Sequence, residues 1–166
     1  MSTSVAETIR VRHAAADIFA LVSDVERYPE FIPHITNLRI VRRSGGADND
    51  RHFIAEALVR YKIARERFVT RVDADPQAMQ ISVTLVKGPF RTLENCWRLT
   101  PLADGSTQID FSIRFEFANM VLDMLLNANK DRAVRSLIHH FVEEADRRYP
   151  TVGEREFSGL RTVHTE

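Results

Sequence analysis

The sequence lacks the features that mark several large classes of protein. It contains one cysteine, Cys96, so it cannot close an internal disulfide or build a cysteine-rich metal cluster, and this cysteine usage fits a reducing cytoplasm. No stretch approaches the roughly 20 apolar residues that span a bilayer. Residues 1–11 carry no apolar run of the kind found in signal or transit sequences. We therefore expect a soluble cytoplasmic protein.

Net charge is absent as well. Lys and Arg together number 23, as do Asp and Glu, so the chain has no overall positive field to attract nucleic acid, and we expect no DNA partner. A length of 166 residues fits one domain, expected to be monomeric. We place this domain at residues 1–150. Residues 151–166 form a polar tail with little to bury, which we expect to be flexible.

Apolar periodicity predicts the order of the elements. A strand at residues 3–11 precedes a helix at 14–23, whereas Pro29 and Pro33 restrict residues 24–33 to a short turn or loop. The apolar spacing then changes to two, as in antiparallel strands joined by short turns. These strands are predicted at residues 35–43, 50–61, 64–72, 79–85, 93–99 and 109–117. One long amphipathic helix, capped by Asn119 and ending at Tyr149, follows them.

Two motifs carry a resemblance to a known family. The stretch Tyr28-Pro29-Glu30-Phe31-Ile32-Pro33 resembles the Y-P-x-F-x-P motif of the coenzyme-Q-binding START family, which also includes the bacterial ribosome-association toxin RatA. The stretch Val86-Lys87-Gly88-Pro89-Phe90-Arg91-Thr92-Leu93, followed by Trp97, resembles the family's G-P-F-x-x-L-x-x-x-W pattern. Residues 66–71 resemble its E-x-F-x-[ST]-R pattern more weakly. His34 departs from the family, in which many members carry Trp after the second proline.

The resemblance covers residues 3–149 and implies a fold of the α+β class. This is the helix-grip fold of START and birch-pollen-allergen proteins. A curved antiparallel sheet of about six to seven strands wraps around a long C-terminal helix, and one or two short helices follow the first strand. Eukaryotic relatives carry an organellar targeting sequence, so its absence here suggests a bacterial protein.

A helix packed over a concave sheet leaves room for an apolar ligand, and burying each CH₂ is worth roughly 0.8 kcal/mol. The candidate lining residues are Phe53, Val59, Phe68, Ile81, Val83, Trp97, Phe111, Phe115, Leu122, Leu125 and Leu126. The alternative for each is core packing alone. Tyr28, Phe31, Pro33, Pro89 and Phe90 lie in proline-flanked loops and are candidates for the cavity entrance. Their alternative is a packing cluster that closes the end of the barrel.

The stretch from Met120 to Leu126 is the most apolar helix start in the chain. We interpret it either as core packing or as a segment that makes transient contact with the inner-membrane surface. The second interpretation would make the protein peripheral at that membrane.

Catalytic machinery is not evident in the sequence. The six histidines, at 13, 34, 52, 139, 140 and 164, include no pair at the i, i+4 spacing of a helical metal site. Cys96 alternates onto the strand face opposite Trp97, away from the predicted cavity. Glu66 has inward parity, for which we favour a buried ion pair with an arginine over a general base. We therefore expect no catalytic residue, no metal and no catalytic cofactor.

The favoured function is non-catalytic binding and delivery of ubiquinone or a related isoprenoid quinone in support of respiratory electron transport. The alternative is a RatA-like toxin that binds the large ribosomal subunit and blocks subunit association. Its basic surface would be Arg39, Arg42, Arg43, Arg65, Arg67 and Arg71, although a solvated sheet face explains the same arginines. A polyketide-cyclase-like enzyme is the third candidate, suggested by fold alone.

Overall fold

The computed structural model describes residues 2–43, 52–126 and 129–165, with only the backbone of Leu126. The strands are β1 (Thr3–Val11), β2 (Ile35–Arg43), β3 (His52–Tyr61), β4 (Ala64–Asp75), β5 (Gln80–Lys87), β6 (Phe90–Pro101) and β7 (Thr107–Phe117). The helices are α1 (Ala15–Ser23), α2 (Met120–Leu126) and α3 (Lys130–Arg148), and a 3₁₀ helix spans Val25–Glu30. Residues 50 and 51, the predicted start of β3, lie outside the described ranges. No helix in the described part of the chain is long and apolar enough to cross a membrane.

All seven strands form one antiparallel sheet in the order β1-β7-β6-β5-β4-β3-β2. Alternating side chains turn one face inward. In β7, for example, Ile109, Phe111 and Phe115 are buried between more polar neighbours. This sheet, the C-terminal helix and the two short helices after β1 confirm the predicted α+β helix-grip class.

The predicted long C-terminal helix is divided into two. Asn119 caps α2 as expected, since its Oδ1 accepts a hydrogen bond of 2.8 Å from the Val121 amide. The helix does not continue unbroken to Tyr149: α3 begins only at Lys130, after Asn129. Asparagine is a poor residue for a helix interior because its side chain competes for backbone hydrogen bonds, and the sequence has it at positions 127 and 129. Residues 127 and 128 lie outside the described ranges.

The C-terminal tail, which we expected to be flexible with little to bury, makes backbone contacts with β1. The Arg10 amide donates to the Arg161 carbonyl at 2.8 Å, and the Val163 amide donates to the Arg10 carbonyl at 3.0 Å. The fully buried Arg10 guanidinium also lies 2.7 Å from Asp104 and 2.8 Å from Thr162 Oγ1. An edge strand and a buried cation both need polar partners. The tail supplies those of the strand edge, and for Arg10 it adds Thr162 to the carboxylate of Asp104, which lies between β6 and β7.

Candidate functional site

An apolar cavity of about 380 Å³ lies between the concave face of the sheet and α3. Its wall is built by inward side chains of β2 to β7, by residues of α1 and the segment that follows it, and by α3. From α3 come Ala133, Val134, Leu137 and Phe141, which recur at intervals of one to four residues along the helix side that faces the sheet. The volume lies within the range of about 300–1,000 Å³ typical of small-molecule sites.

The structure places six of the predicted lining residues on this wall: Val59, Phe68, Ile81, Val83, Trp97 and Phe115. Phe53 and Phe111 are buried but lie off the wall. Phe111 supports the wall from behind, with its ring edge-on to Trp97 at a centroid distance of 4.9 Å. Leu122 is buried and Leu125 half-buried, and neither reaches the wall. The side chain of Leu126 lies outside the described residues.

The predicted entrance residues divide between the wall and its surroundings. Tyr28, Pro33 and Phe90 line the cavity, whereas Phe31 and Pro89 do not. Phe31 is buried in an aromatic cluster, 5.8 Å from Tyr28 and 5.3 Å from Phe141 between ring centroids. For Phe31 the structure therefore matches the alternative of a packing cluster rather than a gate.

Tyr28 is held in place by its hydroxyl group, which donates a hydrogen bond to the Val22 carbonyl. Burial of the ring raises the pKa of Tyr28 far above its ordinary value of 10.0, and Asp24 adds to the shift. The residue therefore stays neutral, as an apolar wall requires.

The turn between β5 and β6 packs directly on β4. Phe90 lies 5.6 Å from Phe68 edge-on and 5.1 Å from Phe117 in a stacked arrangement, measured between ring centroids. A Cβ at Gly88 would lie 2.5 Å from the Phe68 Cβ. The glycine of the Gly-Pro-Phe motif is thus needed for close approach of this turn to the cavity wall.

His34 forms part of the cavity mouth, a role that the sequence interpretation did not assign to it. It adopts a positive φ of 76°, and its carbonyl accepts a hydrogen bond of 2.8 Å from the Arg60 amide. Its ring lies edge-on to Tyr61 at 5.1 Å. A polar hollow adjoins the cavity at this point, bounded by His34 and Tyr61 and by Arg132, Ser136 and His140 of α3.

Few polar side chains reach the cavity. Thr70 is buried on the wall, and Asn95 is already occupied: its Oδ1 accepts from Trp97 Nε1 at 3.1 Å and its Nδ2 donates to the Ser112 carbonyl at 2.9 Å. Lys130 reaches the wall near α2, where its Nζ lies 2.6 Å from Asp123 Oδ1. This hydrogen bond lowers the pKa of Asp123 from its ordinary value of 3.8. Strand parity had placed Thr70 inward with Phe68 and Val72, whereas it did not single out Asn95 or Lys130 as wall residues.

The groups considered for chemistry lie elsewhere. Cys96 is half-buried in a groove on the opposite face of the sheet. Glu66 does not line the cavity: it is half-buried opposite Val59, in a groove near the β3–β4 turn with Arg60, Arg65 and Arg67. Within residues 2–43, 52–126 and 129–165, no three His, Cys, Asp or Glu side chains are grouped to hold a metal ion.

Comparison with known proteins agrees with this geometry. The family of polyketide cyclase/dehydrase and lipid transport proteins matches residues 11–142. The chain belongs to this family. The resemblance inferred from the two motifs is thereby confirmed. The proteins similar to this chain include both a coenzyme Q-binding protein and RatA toxins.

Three similar proteins illustrate the range of the family. The ribosome association toxin RatA of Vibrio cholerae is 27% identical over 145 residues, which cover 87% of this chain and 96% of the toxin. The mitochondrial coenzyme Q-binding protein COQ10 homolog B of Xenopus laevis is 25% identical over 135 residues, covering 80% of this chain and 53% of that protein. Among solved structures, an 18 kDa protein from Caulobacter crescentus is 36% identical, covers 89% of this chain and 97% of its own, and superposes with a TM-score of 0.67.

Proposed function

We propose that this protein binds and delivers an isoprenoid quinone, such as ubiquinone, or a lipid of similar chemistry, in support of respiratory electron transport. The observation that carries the proposal is the apolar cavity of about 380 Å³. Aliphatic and aromatic walls favour a hydrocarbon ligand, because each buried CH₂ contributes roughly 0.8 kcal/mol. Similarity to a coenzyme Q-binding protein supports the choice of quinone within this class.

The polar groups suit binding rather than catalysis. Asn95 has its amide engaged by Trp97 and Ser112, and Lys130 is neutralised by Asp123. Thr70 offers a hydroxyl that can donate to a quinone carbonyl on a mostly apolar wall. Nucleophilic and acid–base catalysis use paired groups in mutual reach, and among the described wall residues no hydrogen bond joins a nucleophile to a base.

Organic extraction of the purified, detergent-free protein tests the proposal. We expect quinone near one mole per mole of protein by mass spectrometry, or saturable uptake of added short-chain quinone. Trp97 is the single tryptophan and lies on the cavity wall, so its fluorescence should be quenched as the quinone enters. A protein that carries no quinone and shows no saturable quenching would overturn the proposal.

A second candidate is ribosome association of the kind named for RatA, since most of the curated relatives bear that name. The outer face of β2 to β4 offers exposed arginines at 39, 42, 65, 67 and 71. Arg43, expected on the same face, pairs instead with the inward Phe53, and its guanidinium lies 5.8 Å from the centroid of that ring. Arg39 pairs with Glu56 at 3.2 Å and Arg71 with Asp73 at 3.2 Å, which reduces the net charge of the face. Co-sedimentation with large ribosomal subunits at moderate salt, lost on Arg65→Glu with Arg67→Glu, would favour this candidate. A cyclase-like enzyme remains third, with no residue to assign to it.

A further inference from the structure

We propose that the end of the sheet at which the cavity has its mouth is a docking surface for an anionic phospholipid bilayer. The docking surface comprises the exposed side of α2 (Met120, Val121 and Met124), Val86 before the β5–β6 turn, and the β3–β4 turn with Lys62 and Ile63. The inference deepens the proposed function and rests on it, since a carrier of a membrane-bound ligand must reach the bilayer.

Strand order brings these segments to one end of the molecule. Alternate strands of an antiparallel sheet run in the same direction, so the C-terminal ends of β3, β5 and β7 lie at the same end of the sheet. Phe90 pairs with Phe117, and the Ala118 amide donates to the Pro89 carbonyl at 2.8 Å, so the β5–β6 turn is joined directly to the segment that leads into α2. Phe90 and Phe117 also line the cavity, so the cavity extends to this end of the sheet. Two exposed lining residues, Pro33 and His34, lie at the same end, where the His34 carbonyl accepts a hydrogen bond from the Arg60 amide of β3.

Helix α2 presents apolar side chains on both of its sides. Leu122 is buried against the protein, whereas Met120 is 79% and Met124 76% exposed, with Val121 beside them. A surface helix of a globular protein ordinarily carries polar residues on its outer side. Methionine adapts to irregular apolar surroundings, so this outer side suits the acyl boundary of a bilayer.

The β3–β4 turn adds a projecting apolar tip. Lys87, the last residue of β5, pairs with Val69, so β3 and β4 extend about five residues, or roughly 16 Å, beyond β5. Ile63 at this tip is 84% exposed, the largest exposure among the large hydrophobic residues that the structure describes. A side chain in this position gains burial only if another surface covers it.

The cationic residues at the β3–β4 turn favour an anionic bilayer over a neutral one. Arg60 lies directly opposite Arg65 across the β3–β4 pair, and Lys62 lies between them at the turn. Like charges in facing positions destabilise a strand pair, and among the described residues none of these three forms an ion pair with an acid. Glu66 is the acid in the same groove, beside Arg60, Arg65 and Arg67, so a chain of zero net charge still has an excess of positive charge at this tip. Basic side chains beside exposed aliphatic ones suit lipid headgroups and the acyl boundary beneath them, whereas the exposed aliphatic side chains would add nothing to contacts with RNA phosphates.

Vesicle sedimentation of the full-length protein tests the surface. We expect binding to vesicles of phosphatidylcholine with 30% phosphatidylglycerol, and at least tenfold weaker binding to phosphatidylcholine alone at low salt. The double variant Met120→Glu with Met124→Glu, and separately Lys62→Glu, should each weaken binding to the anionic vesicles about tenfold or more. Val41→Glu is the matched control, since Val41 is an exposed apolar residue near the opposite end of β2, and it should bind as the unaltered chain does.

The same variants separate this inference from the proposed function. None of the altered residues lines the cavity, so each variant should still take up a short-chain quinone added from ethanol. Vesicle binding without quinone uptake would overturn the quinone proposal alone. Quinone uptake with no vesicle binding, or with binding that the α2 variant leaves unchanged, would overturn the docking surface. Binding of ribosomal subunits that Lys62→Glu abolishes, in the absence of vesicle binding, would assign the surface to RNA and overturn it as well.

Discussion

Placing a larger side chain on one wall of the cavity should weaken ligand binding at least tenfold without unfolding the protein. Ala57 is buried on the cavity wall in the middle of β3, between Leu38 of β2 and Phe68 of β4, which also line the cavity. The substitution Ala57→Phe therefore places a phenyl ring in the space that the ligand would occupy. Phenylalanine favours strands more than alanine does, so the backbone of β3 should tolerate it.

The size of the effect follows from the volumes. A cavity of about 150 Å³ holds one benzene molecule, so the new ring takes roughly two fifths of the 380 Å³. The displaced part of the ligand corresponds to about six carbons, and at about 0.8 kcal/mol each the loss reaches about 5 kcal/mol, on the order of a thousandfold in Kd. A ligand that shifts toward the mouth would recover part of this loss. We expect a Kd increase of at least tenfold, with the free energy of unfolding unchanged or raised because the ring fills empty space.

Quenching of Trp97 fluorescence by a short-chain quinone, together with urea unfolding, measures both quantities. Leu58→Phe is the matched control: it adds a ring to the neighbouring residue on the outer face, opposite Arg67, and should bind quinone normally. A stable Ala57→Phe protein with an unchanged Kd would show that the ligand does not occupy this cavity.

Three further predictions concern stability. Phe141→Ala removes the ring that packs edge-on against Tyr28, Phe31 and Trp97. It should lower the free energy of unfolding, measured by urea titration, by about 3–5 kcal/mol. A loss below about 1 kcal/mol would contradict this packing. The pKa of Asp104 is held well below its ordinary value of 3.8 by hydrogen bonds from the Ser106 hydroxyl, from the amides of residues 154 and 106 and from Arg10. The ionised Asp104 therefore stabilises the fold above pH 3.8, and this stabilisation is lost as the pH falls below 3.8. The melting temperature should therefore fall more steeply from pH 5 to pH 2 in the unaltered chain than in Asp104→Asn, and parallel curves would refute this role. Tyr28→Phe removes the hydrogen bond to the Val22 carbonyl and should cost about 1 kcal/mol in the same titrations, whereas a gain in stability would show that the bond contributes nothing.

The sheet was predictable because its signal is local. Strand β7 alternates Ile109, Phe111 and Phe115 with more polar residues, and the bounds of β1 and β2 agree with the predicted ranges of 3–11 and 35–43. Parity identifies the inward face of each strand. It does not say whether an inward side chain meets another side chain or empty space, so Phe111, which lies against Trp97, looked the same in sequence as Val83 on the cavity wall.

The features that the sequence did not reveal depend on contacts between distant parts of the chain. Arg10 alternates within β1 as an ordinary outward residue would, yet it is buried because Asp104 and Thr162 surround it from 94 and 152 positions away. His34 lines the mouth only because Arg60 and Tyr61 hold it there. Polar residues without periodicity give no local sign of such partners.

Because side chains alternate between the two faces of each strand, the two competing functions can be tested by separate substitutions. Ala57 and Phe68 face the cavity, whereas their neighbours Leu58 and Arg67 face outward and pair with each other across β3 and β4. A quinone carrier depends on the first pair of positions and a ribosome-binding protein on the second. Because each substitution changes one face of the same two strands, a loss of quinone binding on Ala57→Phe alone, or a loss of subunit binding on Arg67→Glu alone, identifies which face carries the function. A protein that loses both activities with one substitution would instead require the occupied cavity to alter the outer face. Both strands offer a route for that coupling, since Ala57 and Leu58 are adjacent in β3 and Phe68 and Arg67 are adjacent in β4.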